Sequence, residues 1–106
     1  MRWTVEALPK ANDEIMALPK GLRARMFQLM RLIAQHGLDQ MHEPHVKHLN
    51  GKLWELRAKA PEGIARGLYV TVTGRRVVVL HAFEKKTEKT PLRALALARE
   101  RMKEIE

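Results

Sequence analysis

The hydrophobic period of this chain changes once, and that change does most to confine its fold. Between Lys20 and His36 the apolar residues Leu22, Met26, Leu29, Met30 and Ile33 fall at i, i+4, i+7, i+8 and i+11. That spacing draws a single stripe along an amphipathic helix. From Gly51 the period is two. "KLWELRAK" sets Trp54, Leu56 and Ala58 on one side and Leu53, Glu55 and Arg57 on the other. After Pro61-Glu62-Gly63, "IARGLYVTV" runs to Thr73-Gly74-Arg75, and "RVVVLHAF" runs back. Period-two segments joined by Gly-containing turns make a three-stranded antiparallel meander. A one-striped helix needs one apolar surface, and a meander supplies it.

The flanks complete an α+β pattern. Trp3 and Val5 alternate with Arg2, Thr4 and Glu6, which reads as a short strand. Asn12 or Asp13 caps a short helix that runs to about Leu18 and ends at Pro19. Gly37 terminates the long helix as an αL residue, and residues 38–50 read as irregular. Thr90 reads as an N-cap with Pro91 at the first helical position, opening a helix to about Ile105. Leu92, Leu95, Ala96 and Arg99 are its expected packing stripe. The order is β-α-α-β-β-β-α: an N-terminal strand and two helices packed on an antiparallel sheet, with a C-terminal helix. At 106 residues, 1–106 is expected to be one domain.

Composition narrows the function classes. The chain has no cysteine, which removes disulfide and thiolate chemistry and fits a reducing cytoplasm. Its apolar runs are only a few residues long, so no membrane span is expected, and "MRWTVEALPK" lacks the apolar core of a signal peptide. Lys and Arg total 20 against 12 Asp and Glu, and the excess is uneven. Residues 1–46 hold six basic and five acidic groups, whereas residues 47–93 hold eleven and four. Such a distribution implies one surface that faces a polyanion. His42, His45 and His48 recur at intervals of three, but Pro44 breaks any helix that would align them. No cysteine or paired carboxylate completes a ligand set, so neither metal nor other cofactor is expected.

Hairpin parity brings several of these charges together. A two-residue turn at Gly74 makes even residues of the strand before it face odd residues of the strand after it. Arg66, Leu68, Val70 and Val72 then share a face with Val77, Val79, His81 and Phe83, and in one register Arg66 lies opposite His81. Arg57 and Glu55 approach from the preceding strand, and "HAFEKKTEKTP" adds Lys85, Lys86 and Lys89 at the same end. Arginines, lysines, one imidazole and few acids suit metal-independent RNA cleavage, in which a ribose 2′-hydroxyl attacks the adjacent phosphorus. The same cluster could equally bind phosphates without chemistry.

The motifs "HLNGKLWELR", "ARGLYV" and "VVVLHAFEKKTEKTP", followed by an A-x-x-R helix, resemble the RelE/ParE toxin superfamily in its HigB-like, phage-derived branch. The resemblance covers essentially the whole chain. It implies a cytoplasmic toxin of a type II toxin–antitoxin system, an mRNA endoribonuclease acting in the 30S A site of the ribosome and inhibiting translation. The implied partner is a helix-turn-helix, HigA-like antitoxin; the toxin alone would be a monomer and the complex a heterotetramer. By the same resemblance Arg66 stabilises the phosphoryl transition state, and Lys85 and Lys86 match a basic pair after the last strand. Two strand lysines of RelE correspond to Leu53 and Glu55, which leaves Glu55, His81 or a loop lysine as the base. The expected catalytic set is therefore Arg66, Lys86, Lys85, His81, Arg57 and Glu55, with Lys47, Lys52, Lys89, Arg93, Thr87 and Tyr69 contacting RNA. ParE-like members poison gyrase without cleaving RNA, so a gyrase inhibitor and a plain nucleic-acid-binding module are the alternatives.

Overall fold

The structure, a computed structural model, describes residues 3–105; the reading of Arg2 at the head of the first strand lies outside them. Among these residues five strands and three α-helices follow in the order β1 (Thr4–Ala7), α1 (Pro9–Met16), α2 (Lys20–His36), β2 (Val46–Asn50), β3 (Leu53–Ala60), β4 (Gly63–Val72), β5 (Arg76–Glu84) and α3 (Leu92–Met102). The sheet order is β1-β5-β4-β3-β2. β3, β4 and β5 are the expected meander, and β2 adds a strand where an irregular segment was expected. Its sequence "VKHLN" is an edge strand with Lys47 and His48 exposed, so it carries no apolar alternation to announce it. The sheet is also mixed, because β1 runs parallel to β5. Among the described residues no helix is long and apolar enough to cross a membrane.

The two faces of the sheet bury different helices. Ala11 and Ile15 of α1 and Leu22, Met26, Leu29 and Ile33 of α2 pack on Leu56, Ala58, Ala65, Tyr69, Val77 and Val79. Gly67 lets α2 approach closely there: a β-carbon at this position would lie 3.2 Å from the Met26 sulfur. On the opposite face α3 lays Ala94 and Ala98 on Leu53, Leu68, Val70, Val78 and Leu80. The stripe of α3 is thus rotated from the expected one. Leu92 is 83% exposed, and Ala96 and Arg99 also face outward, while Arg101 is buried. The sheet's branched side chains already fill the interface, so α3 contributes alanines, whose small size permits close approach.

Three local expectations change as well. α1 starts at Pro9 rather than at Asn12 or Asp13, because proline's fixed φ suits the first helical position and the Asn12 amide donates to the Leu8 carbonyl (2.8 Å). Gly37 does end α2 with φ 85°, but its ψ of 161° is extended rather than αL. The β4–β5 turn spans three residues, Thr73 to Arg75, with positive φ at Gly74 and Arg75. Near the turn Val70 therefore pairs with Val78 and Val72 with Arg76, not with odd-numbered partners. One extra residue, Leu80, then bulges from β5 and restores the odd–even parity: Leu68 pairs with His81, and Arg66 with Phe83 rather than His81.

Candidate active site

β3 and β4 set Arg57 directly across from Arg66. Two guanidinium groups facing each other repel, so the arrangement needs a counter-charge. Glu55 supplies it from the same face of β3, and its side chain is fully buried. Glu55 Oε1 accepts from Arg57 Nε at 2.9 Å and lies 3.7 Å from Arg66 Nε. Glu55 Oε2 accepts a 2.6 Å hydrogen bond from the Thr90 hydroxyl. That hydroxyl in turn accepts from Arg66 Nη1 at 3.2 Å, while Arg66 Nη2 donates to the Glu88 carbonyl at 2.7 Å. Arg66 is only 2% exposed, and among the described residues its Nε is a buried donor without a hydrogen-bond partner. A buried donor without a hydrogen bond is uncommon in a folded protein, and here the Glu55 carboxylate 3.7 Å away meets its charge without the hydrogen bond.

Thr90 is therefore not the cap of α3, whose N-cap position is Pro91. It is the link that ties Arg66 to Glu55, and it reaches them because residues 85–90 fold back over the end of β4. The Lys85 amide donates to the Ile64 carbonyl (2.7 Å), and the Thr87 hydroxyl donates to the Lys89 carbonyl (2.7 Å). Above the buried triad opens a concave pocket of ≈ 500 Å³, lined by His45, Lys47, Arg57, Lys59, Arg66 and Lys85 among others. Arg57 and Lys85 are partly exposed in it, with side-chain exposures of 29% and 22%. Against these cations the lining holds one carboxylate, Glu88, which is 97% exposed and 3.9 Å from the Lys85 ammonium. Lys86 sits on the outer side of the same loop, 3.8 Å from Glu84. Thr87 and Lys89 are exposed at the tip.

The convergence of Arg57, Arg66 and Lys85 thus exists, but His81 does not share in it. Its Nδ1 donates to Glu14 of α1 at 2.9 Å. Arg101 of α3 donates to both Glu14 oxygens (2.8 and 2.9 Å) and to the Leu80 carbonyl (2.9 Å), and the Ala82 amide adds a 3.1 Å bond to Glu14. Burial works against the charge of Glu14, but the hydrogen bonds from Arg101, His81 and Ala82 outweigh it and hold its carboxyl below the ordinary value. The group seals the edge of β5 beyond the end of β1 and ties α1 to α3. Tyr69 is also elsewhere: it is 1% exposed on the α1/α2 face, where burial pushes its hydroxyl up to about 12. Lys52 lies in the β2–β3 turn and Arg93 on the first turn of α3, both outside the pocket lining.

Sequence reasoning missed Lys59, His45 and the second role of Thr90. Lys59 was within reach, since period two puts it on the face of Glu55 and Arg57. His45 was not, because its position depends on β2; the His45 carbonyl accepts the Arg57 amide at 2.8 Å and so sets that residue beside the pocket.

A family profile described as "Phage derived protein Gp49-like" matches residues 13–103. No curated protein matches the sequence. Among solved structures, a mutant of the Escherichia coli toxin RelE in the free state is similar over 96% of this chain and 99% of its own, with a TM-score of 0.67 and 16% identity. The RelE–RelB complex of Pyrococcus horikoshii matches at TM-score 0.57 and 19% identity, over 79% of this chain and 96% of that one. The toxin–antitoxin complex RelBE2 of Mycobacterium tuberculosis matches at 0.51 and 20%, over 80% and 93%.

Proposed function

Because this chain belongs to the phage-derived Gp49-like family and has the fold of the RelE toxins, we propose that it is the toxin of a toxin–antitoxin system and cleaves mRNA. The observation that carries the proposal is the ≈ 500 Å³ basic pocket floored by the Glu55–Thr90–Arg66 network. Its cations, the partly exposed Arg57 and Lys85 and the exposed Lys47 and Lys59, can grip consecutive phosphates. Arg57 is the arginine able to meet the reacting phosphoryl group in this conformation, because its Nε is anchored by Glu55 while part of its side chain is open. Arg66 keeps the floor of the pocket positive, and it would contact phosphate directly only when the 85–90 loop releases it.

Charge building on the phosphoryl oxygens is met by these fixed cations, so the 2′-hydroxyl route needs no metal. Glu55 acts here as the positioning group for Arg57 and Thr90 rather than as a base, since both of its oxygens already accept hydrogen bonds. The proton-transfer groups are then His45 and the lysines that line the pocket. The ribosome as the site of cleavage, a helix-turn-helix antitoxin and a heterotetrameric complex belong to the same proposal. The two RelE complexes with antitoxins support a protein partner of that kind.

Inducing the chain in bacteria and mapping RNA 5′ ends tests this reading. New ends within coding sequences, lost in Arg57→Ala, are expected. Growth arrest with intact mRNA and DNA-damage signalling would assign a gyrase-directed activity instead. Tight binding to RNA with neither arrest nor cleavage would leave a binding module.

A further inference from the structure

A second pocket, of ≈ 290 Å³, opens on the other face of the sheet, and the RNA-cleaving reading does not use it. Its walls are Trp3, Met41, Val46 and Trp54, with Tyr69, Thr71 and Asp39 as polar groups. The chain contains two tryptophans, and both are here. Trp3 is held close to the end of α2 because position 37 is glycine; a β-carbon there would come within 2.7 Å of the indole nitrogen. Trp54 is 38% exposed and packs against the His48 ring at a centroid distance of 4.8 Å. Tyr69 is 1% exposed as a residue and lines the pocket, where burial raises the pKa of its hydroxyl. Asp39 is the one formal charge in the lining, on a protein of net charge +8.

We propose that this pocket is a binding site for one arginine side chain presented by a protein partner. A guanidinium stacks on indole faces and is attracted by their quadrupole. The Tyr69 oxygen can accept one of its N–H groups, and the exposed Asp39 carboxylate supplies the counter-charge. The volume lies just under the ~300–1,000 Å³ usual for small-molecule sites and suits a single long side chain. A phosphate-bearing ligand would instead meet the Asp39 carboxylate. The inference stands apart from RNA cleavage, because the basic pocket is on the α3 side of the sheet.

The two indole N–H resonances in a proton–nitrogen correlation spectrum of the full chain read this pocket directly. Titration with N-acetyl-arginine amide is expected to move both resonances saturably, with a dissociation constant on the order of millimolar. N-acetyl-leucine amide should leave them unmoved, and Asp39→Asn, at an exposed position, should weaken the arginine response roughly fivefold with the fold intact. No saturable shift, an equal response to the leucine probe, or an unchanged affinity in Asp39→Asn would overturn the proposal. A stronger response to adenosine monophosphate would reassign the pocket to a nucleobase and overturn it too.

Discussion

Replacing Thr90 by valine separates two accounts of the same residue. As a helix N-cap, its hydroxyl would be worth about 1 kcal/mol. In the structure it bridges two buried charged groups, donating to Glu55 at 2.6 Å and accepting from Arg66 at 3.2 Å. Valine keeps the shape, so no cavity term enters and the loss is polar. A hydrogen bond to a charged group contributes about 1.5–3 kcal/mol, and the longer one adds less, so the expected cost is roughly 2–4 kcal/mol. For a domain of about this size that lowers Tm by roughly 10–25 °C. Urea unfolding of Thr90→Val, Glu55→Gln and the double variant gives the coupling energy between the two residues. The bridge predicts at least about 1 kcal/mol of coupling, with Thr90→Ser close to wild type. Additivity to within roughly 0.4 kcal/mol would refute it and return Thr90 to the role of a cap.

Glu14 has a lowered pKa in the folded state, so its contribution is present above the unfolded value of about 4.3 and is lost as pH falls through the lower folded value. The stability gap between wild type and Glu14→Gln should therefore be open at neutral pH and close below about pH 4, as read from urea midpoints. Leu92→Ser should change stability by less than about 0.5 kcal/mol, whereas Ala98→Leu, against the sheet, should cost about 1–3 kcal/mol. Lys59→Ala and Lys85→Ala should each lower the slope of log affinity against log salt for single-stranded RNA by about 0.7, and Arg93→Ala should change it less.

The long helix and the meander were legible because both repeat their apolar residues at a fixed period and both bury what the period selects. β2 was not, since an exposed edge needs hydrogen-bonding backbone and not an apolar face. Parity kept Arg66 opposite an odd residue although the turn holds three residues and not two, because the Leu80 bulge offsets the third before β5 reaches Phe83. It could not place His81 among its partners. That side chain answers to Glu14 and Arg101, which lie 67 residues before it on α1 and in α3, where no strand periodicity reaches. Thr90 shows a different limit: Thr-Pro before a helix is a cap signal, and the competing demand came from a buried carboxylate on β3.

The central claim is that fixed cations cleave RNA by 2′-hydroxyl attack, and the ends of the product test it most directly. Purified chain, incubated with mRNA on translating ribosomes and again with free RNA in chelator, is followed by end-group analysis. The account predicts 5′-hydroxyl and 2′,3′-cyclic phosphate ends, retained in chelator and lost in Arg57→Ala. Ends bearing 5′-phosphate and 3′-hydroxyl, cleavage that chelator abolishes, or full activity in Arg57→Ala would contradict it.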